Sequence, residues 1–222
     1  MKSEESRCLA AGRRRLAFAP AVMATAALWL TACGSKIPPT RYYTLNYPAL
    51  APEGDSKTSF VLEIEPFNAS ENLRDDRILY YESPTQFSYY EYHHWSPDPG
   101  ALVTEMAKRR LHEAAVFAHV RSAPTHEPAD FILRGHLLNF EELDYEPGGK
   151  ARVALEMRLV RAPDHKTVWA DRRDVQLPIT QKGVDGVVNA LTAATDQILS
   201  ETLPALGAEV EREFKVSAEK PK

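Results

Sequence analysis

Cysteine is nearly missing from this chain. Among 222 residues only Cys8 and Cys33 carry a thiol. Two thiols cannot build a disulfide framework or a cysteine zinc site. The seven histidines show no metal spacing either. His93 and His94 are adjacent on an expected strand end and so point to opposite faces. His112, His119, His126, His136 and His165 are scattered, and no HExxH pair occurs among them. There is no G-x-S-x-G nucleophile elbow. Gly148-Gly149 lacks the helix that a phosphate-cradling loop requires. Asp75-Asp76, neighbours in a polar turn, read as solvated or capping carboxylates rather than an acid–base pair. These gaps argue against an enzyme and favour a binding or assembly component.

Long apolar runs are also scarce, with one informative exception. Arg13-Arg14-Arg15 precedes an apolar stretch from Leu16 to Leu30. That stretch is short of the roughly 20 residues a membrane-spanning helix needs. A basic start, a short apolar middle and small residues before a break make a secretory signal. The stretch closes on Leu30-Thr31-Ala32-Cys33, which resembles the bacterial lipobox. Residues 1–32 are then a signal peptide, and Cys33 is the lipidated first residue of the working protein. One acyl chain binds a membrane only marginally, whereas several together hold durably. Gly34-Ser35 follows Cys33 in place of an Asp that would signal inner-membrane retention, which favours the outer membrane with the body facing the periplasm. Cys8 is discarded with the signal. No cofactor is expected beyond the covalent lipid on Cys33.

Removing residues 1–32 takes away five Lys/Arg and two Asp/Glu, leaving 22 basic and 29 acidic side chains and a balance of −7. An acidic body argues against nucleic acid and against broad electrostatic attraction to anionic lipid. The remaining chain suits one domain large enough to bury a core.

Residues 33–40 read as lipidated cysteine and tether, with Pro38-Pro39 stiffening it. Strands are expected at 41–45, 60–65, 77–81 and 86–92, with 77–92 as a hairpin. Phe60, Leu62 and Ile64 share one face. Residues 68–76 are expected to turn. Ser96-Pro97-Asp98-Pro99 announces a helix to about Ala115, with an apolar stripe of Leu102, Val103, Met106, Leu111 and Ala114 interrupted by Arg110. Residues 116–120 read as a short strand. An antiparallel meander is expected over 130–176: residues 130–143 form a long strand or a strand with a bend, and Ala151, Val153, Leu155, Met157 and Leu159 alternate in the next. A second helix is expected over 184–203, and residues 206–222 form a charged tail that either extends the helix or frays. The expected architecture is α/β (α+β): a two-layer sandwich with a mixed or largely antiparallel sheet and two amphipathic helices on one face.

The oddest segment is aromatic. Tyr80, Tyr81, Phe87, Tyr89, Tyr90, Tyr92 and Trp95 crowd into sixteen residues. Cross-strand aromatic pairs stabilise sheets, and aromatics also mark protein contact surfaces. Because helices can cover only one face, part of this set should be exposed or covered by a partner. Tyr89, Tyr90, Tyr92 and Trp95 are the candidates for partner contact or self-association.

Several of these segments, taken in order, resemble the ABC-type transport auxiliary lipoproteins, a family that includes paraquat-inducible protein C. They are Arg41-Tyr42-Tyr43-Thr44-Leu45 soon after the cysteine, Asp76-Arg77-Ile78-Leu79-Tyr80, Tyr89-Tyr90, Trp95 before the helix, the helix closing at Leu111, and Ala129-Asp130-Phe131-Ile132-Leu133. The resemblance covers about residues 33–205, with domain limits of 41–205. It departs at His94-Trp95-Ser96, where the family pattern has Arg or similar before Trp and Ala after it. It implies a role in MCE-type systems, where an inner-membrane ABC transporter and an MCE-domain protein move phospholipid or other hydrophobic cargo across the periplasm. The implied partners are that MCE-domain protein and its machinery, outer-membrane lipid through the anchor, and other copies of the chain in a ring. The alternative is an outer-membrane lipoprotein that assembles or activates an envelope complex such as a cell-wall synthase. Its expected mark, a long linker after the cysteine, is missing.

Overall fold

The computed structural model describes residues 37–47, 49 and 55–219. Cys33 and the signal segment lie outside them. From Pro39 onward the chain forms one compact unit.

One long strand organises the sheet. The strands in chain order are β1 (Arg41–Tyr43), β2 (Val61–Ile64), β3 (Asn68–Ala69), β4 (Arg77–Ser83), β5 (Gln86–Trp95), β6 (His119–Ser122), β7 (Phe131–Leu143), β8 (Lys150–Arg161) and β9 (Lys166–Pro178). One edge of β7 is paired along its length with antiparallel β8, and β8 in turn with antiparallel β9. The other edge is shared by β2, β3 and β4, all parallel to β7. β2 extends to β6, while β4 extends through β5 to β1. The sheet is therefore mixed, and the 130–176 meander and the 77–92 hairpin form as expected. The segment 68–76 is more ordered than a plain turn, because β3 and a 3-10 turn at Glu71–Leu73 occupy it.

Helix α1 (Pro99–Ala114) starts where the sequence indicates. The Asp98 carboxylate accepts from Ala101 N–H at 3.0 Å, Pro99 fills the first turn, and Ala115 closes the helix in the left-handed region. Leu102, Val103, Met106, Ala107 and Leu111 are buried. Arg110 does interrupt the stripe: its guanidinium pairs with Asp196 on the second helix.

That helix, α2 (Val184–Glu219), runs well past the expected end near Leu203. Pro204 removes a backbone donor inside it, a defect costing roughly 3 kcal/mol. Burial outweighs the defect, since Leu203, Leu206 and Val210 continue the apolar stripe and are at most 6% exposed. Gly207 permits close approach: a Cβ there would sit 3.1 Å from Val116 Cγ2. The segment 206–219 is thus helical with a buried face, and the expected tail boundary falls inside the helix. Buried Thr195 and Thr202 satisfy their hydroxyls on the carbonyls of Leu191 and Ile198. Both helices pack on the sheet and on each other in a two-layer α+β arrangement.

A β-bulge adjusts β7. Phe131, Leu133 and Leu137 alternate into the core, with Gly135 in line. The register then slips between Leu137 and Asn139, so Leu138 is the extra residue. The slip inverts the facing of the residues beyond it. Phe140 enters the core against Trp95, and consecutive Glu141 and Glu142 are carried into buried positions on opposite sides of the strand.

Candidate functional site: the aromatic hairpin

The β4–β5 hairpin carries two aromatic surfaces because Tyr80 stands opposite Ser88 while Tyr81 stands opposite Phe87. On one surface Tyr81, Phe87 and Tyr89 touch in sequence, at centroid separations of 5.7 and 5.8 Å. The Arg77 guanidinium lies 4.8 Å over the Tyr89 ring. Arg77 also binds both Asp75 oxygens, at 2.9 and 2.6 Å. These hydrogen bonds hold the Asp75 carboxyl at about 2, below the usual carboxylate value. The Tyr89 hydroxyl donates to the Asn72 carbonyl at 2.9 Å. Phe87 is left 46% exposed.

On the other surface the Tyr80 and Tyr90 rings are 4.8 Å apart, and the Tyr90 hydroxyl donates to Glu142 Oε2 at 2.6 Å. Burial and the bond to this carboxylate push the Tyr90 phenol well above its ordinary value. Burial likewise pushes Glu142 up, opposed by the bond from Tyr90. Glu141, across the strand, is raised by burial, opposed by its bonds from Asn139 and the Phe140 N–H and by the charge of Arg152. His93 Nδ1 meets the Tyr43 hydroxyl at 2.9 Å, and His94 Nδ1 lies 3.1 Å from Asp76. Neighbouring histidines thus serve different partners, as strand geometry requires.

The four sequence candidates fall into distinct environments. Trp95 is 3% exposed and packs on Phe140, so it supports the core and is not available at the surface. The reason lies upstream: β5 runs three residues beyond the expected end at Tyr92, and its pairing with β4 shifts between Leu79 and Arg77, so alternation counted from Phe87 fails there. Tyr90 is committed to Glu142. Tyr89 is held by Asn72 and Arg77. Tyr92 is half-buried. Cys33 lies outside the described residues. Sequence reasoning missed the Glu141–Glu142 pair. The available signal was two acids directly after Phe140 and before Leu143 in a strand that otherwise reads as apolar.

Among the described residues no three His, Cys, Asp or Glu side chains gather as metal ligands. No described helix is long and apolar enough to cross a membrane.

The profile of the ABC-type transport auxiliary lipoprotein component family matches residues 43–202. The chain belongs to that family. Its fold agrees with the crystal structure of protein XCC0632 from Xanthomonas campestris, at a TM-score of 0.70 and 16% identity over 79% of this chain and 99% of that one. A second solved structure, titled an uncharacterized protein, aligns at a TM-score of 0.63 and 15% identity over 76% of this chain and 99% of that one. The PelC dodecamer from Paraburkholderia phytofirmans is more distant, at a TM-score of 0.42 and 19% identity over 69% of this chain and 89% of that one. No curated protein sequence matches the chain. In this auxiliary lipoprotein the matched segment holds the whole hairpin, both buried glutamates and α1, and it ends inside α2.

Proposed function

We propose that this auxiliary lipoprotein is anchored at the outer membrane through Cys33 and serves an MCE-type transport system carrying phospholipid or other hydrophobic cargo between the two membranes. The observation that carries the reading is the coincidence of a lipobox at Leu30–Cys33 with the auxiliary-family match over 43–202. The protein acts by binding. Tyr89 and Tyr92 contribute to contact with the MCE-domain partner or with further copies of the chain, while Tyr90 and Trp95 hold the hairpin in shape from within. A hairpin pinned by Tyr90–Glu142 and Arg77–Asp75 presents these rings at little ordering cost on binding.

The test is phospholipid exchange between inner and outer membranes in cells making either the wild-type chain or the Cys33→Ala form. The variant is expected to accumulate as a folded periplasmic protein and to slow exchange. Unchanged exchange with the protein released from the membrane would overturn the reading.

A further inference from the structure

β1 and β5 are parallel, with Arg41 level with His93 and Tyr43 level with Trp95. The N-terminal end of β1 at Arg41 therefore faces the hairpin turn at Pro84-Thr85. Eight residue steps separate Cys33 from Arg41, a reach of about 26–29 Å when extended, and Pro38-Pro39 favour extension. From His93 back to Gln86 is about 23 Å at the strand rise. A membrane that holds Cys33 can thus lie level with the turn. The β7–β8 loop is at the same end, because Tyr81 is level with Leu143 and the Asp144 N–H donates to the Tyr81 carbonyl at 3.0 Å.

Part of the exposed apolar surface lies at this end. In the folded unit the large ones among the described residues are Tyr42, Phe87, Tyr145 and Val216. Phe87 comes just after the turn and Tyr145 is in the adjoining loop, whereas Tyr42 is level with His94 at the far end of β5. Val216 belongs to the opposite end, where Glu213 pairs with Arg161 at the close of β8. No Lys or Arg occurs between Ile78 and Trp95; at the turn end Glu82, Asp144 and Glu146 face Lys150, which pairs with Glu146 at 3.2 Å, and Lys182. With acids in slight excess and Lys150 already paired, such a surface has little to gain from anionic lipid. Aromatic rings with an apolar body and a polar rim suit the headgroup level of a neutral bilayer.

We infer that the turn end of the β4–β5 hairpin, led by Phe87 with Tyr145 beside it, rests on a zwitterionic phospholipid surface and fixes how the anchored domain faces the periplasm. The inference rests on lipidation of Cys33. It leaves the Tyr92 region of β5 and the far end of the sheet clear of the membrane for a protein partner.

The acylated full chain is placed in phosphatidylcholine vesicles containing lipid spin-labelled high on the acyl chain. A fluorophore is attached at Thr85→Cys in one sample and at Lys166→Cys, at the opposite end of the sheet, in the other. Several-fold stronger quenching at position 85 is expected, insensitive to salt and reduced by adding Phe87→Ser. Equal quenching at the two positions, or stronger quenching at 166, would overturn the inference while leaving the anchor intact. A Cys33 found unacylated by intact mass would overturn the anchor reading and this inference with it.

Discussion

Glu142 and Tyr90 show how a single residue couples this hairpin to the rest of the sheet. A carboxylate at 7% exposure is held by one short hydroxyl bond, and burial raises its affinity for a proton. Glu141, at 1% exposure, is raised for the same reason. In the folded protein both therefore retain protons at pH values where the unfolded chain has released them. Their contribution to stability is fully present below the ordinary carboxylate value and declines as pH rises through the raised folded value. Asp75 and Asp174, held low mainly by Arg77 and Arg152, act in the opposite sense, but their window lies below the ordinary value. Glu142→Gln should keep the acceptor for Tyr90 and flatten the decline in thermal midpoint as pH rises above the ordinary carboxylate value. An unchanged slope in the variant would contradict this. Trp95 and Tyr92 provide a second residue-scale contrast. Trp95→Ala should cost about 3–5 kcal/mol in urea unfolding, and Tyr92→Ala no more than about 1 kcal/mol. Similar losses would mean that Tyr92 is also a core residue.

At the scale of elements, local chemistry was read well where it governs the outcome. Asp98-Pro99 marks the start of α1, and the alternation from Ala151 to Leu159 marks a half-buried strand. Where the sequence left two readings open, a distant contact decided between them. The Leu138 bulge reverses facing in β7 so that Phe140 meets Trp95, and nothing local demands it. Pro204 and Gly207 look like helix breakers, yet burial of Leu206 and Val210 carries α2 onward. Of the candidate site, the concentration of aromatics was legible in the sequence, but its division between two surfaces and its links to Asn72, Arg77 and Glu142 required the strand register. Leu206→Ala should lower stability by about 2–5 kcal/mol, where a frayed tail would give no change in urea midpoint. Gly135 gives a sharper test within β7. A Cβ there would meet the Phe67 ring at 2.4 Å, so Gly135→Ala should destabilise by about 1–3 kcal/mol through overpacking. A neutral result would show that Phe67 can move aside.

At the scale of the whole molecule, a two-layer domain with a hairpin paired to its central strand belongs to the ABC-type transport auxiliary lipoprotein family. Under the proposed lipidation of Cys33, the acidic balance of residues 33–222 leaves that lipid as the means of anchoring. Cys33→Ala should accordingly move the protein from the membrane to the soluble fraction with its unfolding midpoint unchanged. Retention of the variant in the outer membrane would sink the anchor.

Crosslinking of the membrane-anchored protein in living cells, with mass spectrometry of the captured proteins, tests the proposed transport role most directly. Capture of an MCE-domain protein, reduced by Tyr92→Ala, is the predicted result. Capture of a cell-wall synthase or secretion component in its place would contradict that role.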